Sequence, residues 1–242
     1  MNDIEKKFDF FVHEFGGTAV RELVGASPLF SNADYIFEKY HVIAELKCLE
    51  ENKIADPEFI DKVSSIYREA LQKGGTKAIV FGTCMLTSEN FTPEYQQRLI
   101  KLYEKPVQRS IKKANQQIRE TKEYLGKNAY DGVLLLINSG NFALDPAHVV
   151  QLIDRLLSRE FYSSINYAIF ITVNLKAEHP SSDGDYMVWV TFYKRETGNE
   201  NFKQFEEALR KSWQKHLEYT LGMQIPFRTV EDRFFSSLKN KK

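Results

Sequence analysis

Three residues stand out for their types and spacing: Asp34, Glu45 and Lys47, in the stretch NADYIFEKYHVIAELKC over residues 32–48. Tyr35, Ile36 and Phe37, then Val42 and Ile43, are the aromatic and β-branched types that suit a pleated surface, so the stretch reads as two strands joined at Glu38-Lys39-Tyr40. Side chains alternate faces along a strand, which points Glu45 and Lys47 one way and Ala44, Leu46 and Cys48 the other. A turn between Lys39 and Tyr40 sets Asp34 directly opposite Glu45 on that face, with Cβ atoms about 4.5–5.5 Å apart. Two carboxylates at that distance repel each other, and a bound cation relieves the repulsion. Hard divalent cations want oxygen ligands, keep several waters, and make water far easier to ionise. The other reading of the same residues is a solvated Glu45–Lys47 ion pair on an exposed strand face, which contributes little.

The pattern resembles the PD-(D/E)XK nuclease superfamily, in which an acid on one strand is followed after a short gap by acid-x-Lys on the next. Here these are Asp34 and then Glu45-Leu46-Lys47, with Ala33 in the place of the proline. The resemblance covers about residues 18–175 and implies one restriction-endonuclease-like α/β domain over residues 1–242: a mixed β-sheet with a catalytic hairpin, flanked by helices. It implies that Asp34 and Glu45, with the main-chain carbonyl of Leu46, ligate Mg²⁺ or Mn²⁺ in its place. Lys47 would orient the attacking water or help deprotonate it. In some members a glutamate on the first helix joins the metal, and Glu22 is placed to do so. A helix after the hairpin lays polar or basic side chains beside the scissile phosphate. Lys113 and Gln117, at i and i+4, are similar: one to hold a phosphate oxygen, the other to hydrogen-bond Lys47 or the water. The implied activity is that of a Mg²⁺-dependent endonuclease of restriction type, hydrolysing phosphodiester bonds of nucleic acid, DNA before RNA. Its implied setting is cytoplasmic, as a homodimer or with a partner protein.

A second class of function is open to the same fold: a binding module with a weak or inactive site, acting through protein or nucleic-acid contacts. Tyr186, Trp189, Phe192 and Tyr193, the long terminal helix and the charge balance suit protein contact.

The elements that must position these residues follow from periodicity. Residues 4–15 place Ile4, Phe8, Phe11 and Phe15 at helical spacing, ended by Gly16-Gly17, and a second helix is expected over residues 18–24. Asp56-Pro57 opens a helix in the preferred N-cap and N1 manner, running to about Gln72 before Gly74-Gly75. Residues 74–90 form a connection that includes the ambiguous apolar run 77–85. Helices are expected from Thr92-Pro93 through Tyr103 and, separately, from Lys105-Pro106 to Leu125, the latter with Val107, Ile111, Ala114 and Ile118 on one stripe. Residues 132–137 and 165–173 are apolar runs of the kind buried on both faces, with a polar turn at 138–141 and a helix capped by Asp145-Pro146 between them; this arrangement implies parallel strands. A loop over 176–184, an edge strand over 186–193, a helix over 202–221 and a frayed tail at 239–242 complete the chain.

Composition narrows the classes. The 33 Lys+Arg residues balance 33 Asp+Glu, which argues against a general nucleic-acid coat and leaves room only for a local basic face. No apolar run approaches the roughly 18–20 residues needed to span a bilayer, and the N-terminal residues lack a basic-then-apolar signal pattern, so no membrane partner and no secretion are expected. Cys48 and Cys84 are too few for a disulfide framework and read as core packing in a reducing compartment. Phosphate-binding GxxxxGK[ST], dinucleotide GxGxxG and GxSxG motifs are missing from the sequence, and the five histidines show no HExxH spacing, which removes zinc catalysis.

Overall fold

The computed structural model of the chain describes residues 3–25, 28–49, 56–76, 90–139, 146–158, 160–173, 177–178, 185–186, 188–194, 199–222 and 224. In order they form α1 (Asp3–Glu14), β1 (Thr18–Ala19), α2 (Val20–Val24), β2 (Tyr35–Phe37), β3 (Val42–Leu49), α3 (Pro57–Gln72), α4 (Pro93–Tyr124), β4 (Asp131–Asn138), α5 (Pro146–Leu157), β5 (Tyr167–Thr172), β6 (Ala177–Glu178), β7 (Asp185–Tyr186), β8 (Trp189–Tyr193) and α6 (Glu200–Leu221). Six strands make an open mixed sheet in the order β1-β2-β3-β4-β5-β8, and β6 pairs with β7 apart from it. The architecture is α/β, as the alternation of apolar runs and amphipathic stretches implies.

The hairpin has the register expected of it. Tyr35, Ile36 and Phe37 pair antiparallel with Ala44, Ile43 and Val42, which carries Asp34 to the position facing Glu45. A 3-10 turn over Glu38–Tyr40 connects the strands, and His41 closes it in the left-handed region at φ 53°. Beyond the hairpin, β3 and β4 pair in parallel, as do β4 and β5, and β8 adds antiparallel to the edge of β5.

Each face of the sheet is covered by its own layer. One is largely aliphatic: Ile36, Ile43 and Leu49 of the hairpin pack with Leu134, Leu136, Ala168 and Phe170 under α4 and α5. The other is rich in aromatic rings: Tyr35 and Phe37 join Phe8 and Phe11 of α1 and Phe202, Phe205 and Trp213 of α6. Strand parity puts Glu45 and Lys47 on the aliphatic face, with Ile43 and Leu49.

The long helix α4 explains how that face is held. Its C-terminal half buries Val107, Ile111, Ala114 and Ile118 completely, at about 1.5–3 kcal/mol for each of the larger side chains. Its N-terminal half packs against α3 around Ile66, Ala70, Phe91, Tyr95 and Leu99. The two helices expected over residues 92–125 are therefore one, with Pro106 inside it. An interior proline removes a hydrogen bond and costs about 3 kcal/mol. The helix continues because the row Tyr95, Leu99, Tyr103, Val107 and Ile111 runs past Pro106 in unbroken steps of four, with Tyr103 packed edge-on against Phe59.

Other expectations are also corrected. Thr18 and Ala19 are strand rather than helix, because they pair with Ile36 and Tyr35 at the free edge of β2; helix begins only at Val20. Within the supposed loop 176–184, Ala177 and Glu178 pair with Tyr186 and Asp185, which removes Tyr186 from the edge strand. Phe192, offered as a surface aromatic, is 8% exposed and part of the aliphatic layer, and the Trp189 indole N–H donates to Glu206 at 2.9 Å. The helix expected at Asp56-Pro57 is present, with the Asp56 carboxylate accepting from the Glu58 amide at 3.0 Å. Residues 77–85 with Cys84, Asn141, Asp145 and the tail 239–242 lie outside the described residues.

Gly132 marks where α4, β4 and β5 crowd together. A Cβ there would sit 1.9 Å from the Ser164 carbonyl oxygen and 2.7 Å from Ile118 Cγ2. Gly132→Ala is expected to lower stability by about 3 kcal/mol, read as a shifted urea midpoint; an unchanged midpoint would show that this crossing gives way freely.

Candidate active site

Asp34, Glu45 and Lys47 are brought together, and burial decides between the two readings of Glu45 and Lys47. The Glu45 side chain is 0% exposed and that of Lys47 17%, so they are not a solvated pair on an exposed face. Lys47 Nζ donates to Glu45 Oε1. Glu45 Oε2 is buried with no hydrogen-bond donor. Across the hairpin, Asp34 Oδ2 accepts from the Leu46 amide at 2.8 Å. This contact has a simple origin: β2 is only three residues long, so past Ala44 the β3 backbone has lost its antiparallel neighbour, and the Asp34 carboxylate takes the amide there.

The electrostatics follow from burial. Loss of water pushes the Glu45 carboxyl well above the usual carboxylate range; the Asp34 charge raises it further, and Lys47 opposes both. Asp34 is also pushed up by burial, against the pull of the Leu46 amide and Lys47. When both ionise, a fully buried Glu45 and a partly buried Asp34 beside one lysine carry net negative charge, an arrangement that stabilises a fold poorly compared with apolar residues of the same size. It suits a cation that arrives from solution.

The donor set fits a hard, oxygen-seeking ion. Among the described residues no group of three or more His, Cys, Asp or Glu side chains is gathered for a metal. Zinc, which wants three or four nitrogen or sulfur ligands, is not matched. Mg²⁺ is commonly held by one or two carboxylates, its own waters and substrate phosphate oxygens. Glu45 Oε2, buried without a donor, is the atom left for it, and Asp34 spends one oxygen on the Leu46 amide.

Helix α4 sets the position of Asp34. Three side chains on its last turns hold three consecutive residues of the approaching strand: Glu120 Oε2 accepts from the Ser31 amide at 2.8 Å, Gln117 Nε2 donates to the Asn32 carbonyl at 2.7 Å, and Thr121 Oγ1 accepts from the Ala33 amide at 2.7 Å. Gln117 is 8% exposed, and its Oε1 is buried without a donor. Lys113, one turn earlier, is exposed to solvent rather than packed at the carboxylates.

Glu22 is not brought to the pair. It is exposed and lies 3.2 Å from His13 Nε2. Of the acids of α1 and α2, it is Glu5 whose charge reaches Asp34, as the smallest of the influences on it. Glu5 and Asp9 stand at i and i+4 beside buried Val12, and Asp9 accepts from the Tyr35 hydroxyl at 2.7 Å and pairs with Arg21 at 2.8 Å. That spacing of two acids along the margin of the α1 stripe was the available signal. Comparison with known proteins adds no relative: no protein family, curated protein or solved structure matches the chain.

Between roughly pH 4.3, the ordinary glutamate pKa, and its raised value, folded Glu45 keeps a proton that the unfolded chain has released. Metal-free stability therefore falls as pH rises through that window. Glu45→Gln removes the ionisation, so its melting temperature is expected to match the wild type near pH 4 and to exceed it increasingly towards pH 7. Saturating Mg²⁺ is expected to raise the wild type and leave the variant unmoved. Thermal melts across pH with and without Mg²⁺ check both; parallel curves would show that the Glu45 carboxyl titrates as it does in water.

Proposed function

We propose that the chain is a Mg²⁺-dependent nuclease that hydrolyses phosphodiester bonds of nucleic acid, DNA in preference to RNA. The observation that carries the reading is the pair Asp34 and Glu45, set opposite on one hairpin, with Glu45 fully buried, one of its oxygens lacking any donor, and Lys47 beside it. The resemblance to the PD-(D/E)XK pattern and its restriction-endonuclease-like fold supports the same reading, as does the mixed sheet with the acid-x-Lys on an inner strand.

Asp34 and Glu45, with the Leu46 carbonyl, would hold the cation, which when bound supplies charge to a phosphate oxygen and eases ionisation of water. Lys47 then orients the attacking water, with Glu45 Oε1 keeping its ammonium in place. Gln117, anchored through Nε2, presents Oε1 as an acceptor for the Lys47 ammonium or the water. Lys113, exposed one turn away, is a contact for the phosphate next to the scissile one. Among the described residues no helix is long and apolar enough to cross a membrane. The setting belonging to this reading is cytoplasmic, with a second copy or a partner protein where both strands are cut.

The competing reading is a nuclease-like binding module with little turnover, favoured by the count of only two carboxylates at the site among the described residues. Turnover separates the two. Supercoiled plasmid, linear duplex, single strands and structured RNA, incubated with Mg²⁺ or chelator, are expected to show Mg²⁺-dependent cleavage of DNA. Asp34→Asn, Glu45→Gln and Lys47→Ala are each expected to lower the rate by about 100-fold or more. Wild-type protein that cuts none of these substrates, or variants that cut as well as it does, would remove the nuclease reading.

A further inference from the structure

Helix α4 carries one row of side chains in successive steps of four: Lys101, Lys105, Arg109, Lys113 and Gln117. On a helix such a row is a continuous ridge, inclined to the axis. At its C-terminal end the ridge is buried and holds the strand that leads to Asp34, through Gln117 on the Asn32 carbonyl and, one step on, Thr121 on the Ala33 amide. At Lys101, Lys105, Arg109 and Lys113 it is exposed. Exposed Lys112 lies alongside.

The charges on this ridge are concentrated and of one sign. Lys62 of α3, Lys73 at its C-terminal cap and Lys211 of α6 each sit one turn from an acid and pair with it: Lys62 with Glu58, Lys73 with Glu69 at 2.9 Å, Lys211 with Glu207. Among the described residues, no acid pairs with any of the four ridge cations. Residues 101–119 hold six Lys or Arg and one acid, Glu104, which is committed to Arg155, in a chain whose totals balance at 33 each. Like charges at i and i+4 cost about 0.2–0.5 kcal/mol per pair, and nothing among the described residues compensates them. A polyanion would.

The geometry names which polyanion. Steps of four residues rise about 6 Å, so Lys101 to Lys113 covers about 18 Å. Each strand of a DNA duplex offers a phosphate about every 3.4 Å of axis, which matches the row to about five base pairs. Between residues 101 and 119 no aromatic ring is exposed, so the surface lacks the stacking platform that single-strand binders use. Contacts from such a row are to phosphate, and they set position rather than sequence.

We propose that the α4 ridge is a track for the phosphate backbone of duplex DNA flanking the scissile bond. The inference rests on the nuclease reading of the hairpin and deepens it: the substrate is a duplex that extends about five base pairs along α4, away from Asp34 and Glu45.

The test is duplex binding in chelator, where nothing is cut, measured by fluorescence anisotropy on a labelled 20-mer duplex over a series of salt concentrations. The triple variant Lys101→Gln, Lys105→Gln, Arg109→Gln keeps the helix-forming character of each position. A control triple, Lys203→Gln, Lys211→Gln, Lys215→Gln, removes equal charge from α6. The ridge variant is expected to flatten the slope of log affinity against log salt by about 2.7, at about 0.9 per lost phosphate contact. It is also expected to lose at least about 10-fold in affinity near 0.15 M salt, with circular dichroism unchanged. The control is expected to keep the wild-type slope. Equal slopes in the two variants, an equal effect on single strands, or wild-type protein without duplex affinity at about 50 mM salt would overturn the proposal. Plasmid cleavage is scored separately. Protein that cuts but shows no ridge effect loses the track alone; protein that binds with the expected slope but never cuts loses the nuclease reading and keeps the track.

Discussion

Everything at the candidate site depends on the grip of one helix on a short stretch of backbone. Asp34 lies at the mouth of a three-residue strand, with too little ladder of its own to be placed accurately. What places it is α4, whose Glu120, Gln117 and Thr121 take up the Ser31 amide, the Asn32 carbonyl and the Ala33 amide in succession. Buried backbone groups that find such partners are fixed in position, because leaving any one unpaired costs about 1–3 kcal/mol. The same helix also reaches the far side of the sheet. Asn115 accepts from the Ser164 amide at 2.9 Å, and Lys122, whose pKa is pulled down to about 8 by burial, donates at 3.3 Å to the Ser164 carbonyl and to Asn166. One rod thus ties the start of β2 to the start of β5.

The energetic cost of the site is concentrated on β3. Val42, Ile43, Ala44, Leu46 and Leu49 of that strand are apolar and buried, while Glu45 brings a carboxylate into the same layer. Continuous hydrogen bonding of β3 with β4 from Val42 to Leu49, and the aliphatic layer beneath α4 and α5, let the fold bear a dehydrated charge at its centre. Rules of local consistency are broken at one place and kept around it, which is where function is expected to lie.

Much of this was legible in the sequence, and the exceptions share a cause. The hairpin register followed from the β-branched runs and the short joint between them, and from that register came the opposition of Asp34 and Glu45. The helix at Asp56-Pro57 and the parallel strands of 132–137 and 165–173 could be read from caps and apolar runs. What could not be read was set by contacts distant in sequence. Thr18 and Ala19 become strand only because β2 has a free edge; Pro106 is tolerated only because its neighbours already bury one continuous row. Glu22 and Glu5 are both glutamates on amphipathic segments near the N-terminus, and only three-dimensional packing shows that the charge of Glu5 reaches Asp34 while Glu22 pairs with His13. Gln117 was singled out as the i+4 partner of Lys113 on a polar and basic face; its burial and its hold on Asn32 have no local signature.

The contrast between the two layers acts as a proofreading device for the fold. A slip of one residue in the pairing of β3 would turn every side chain to the opposite face. Glu45 and Lys47 would then be driven among Phe8, Phe11, Phe37 and Trp213, and Leu46 would take their place beneath α4. Neither layer accepts that exchange, since the ring-filled side has no room or partner for an ion. Misregistered hairpins are therefore discarded during folding by the same charges that the finished protein places at its centre.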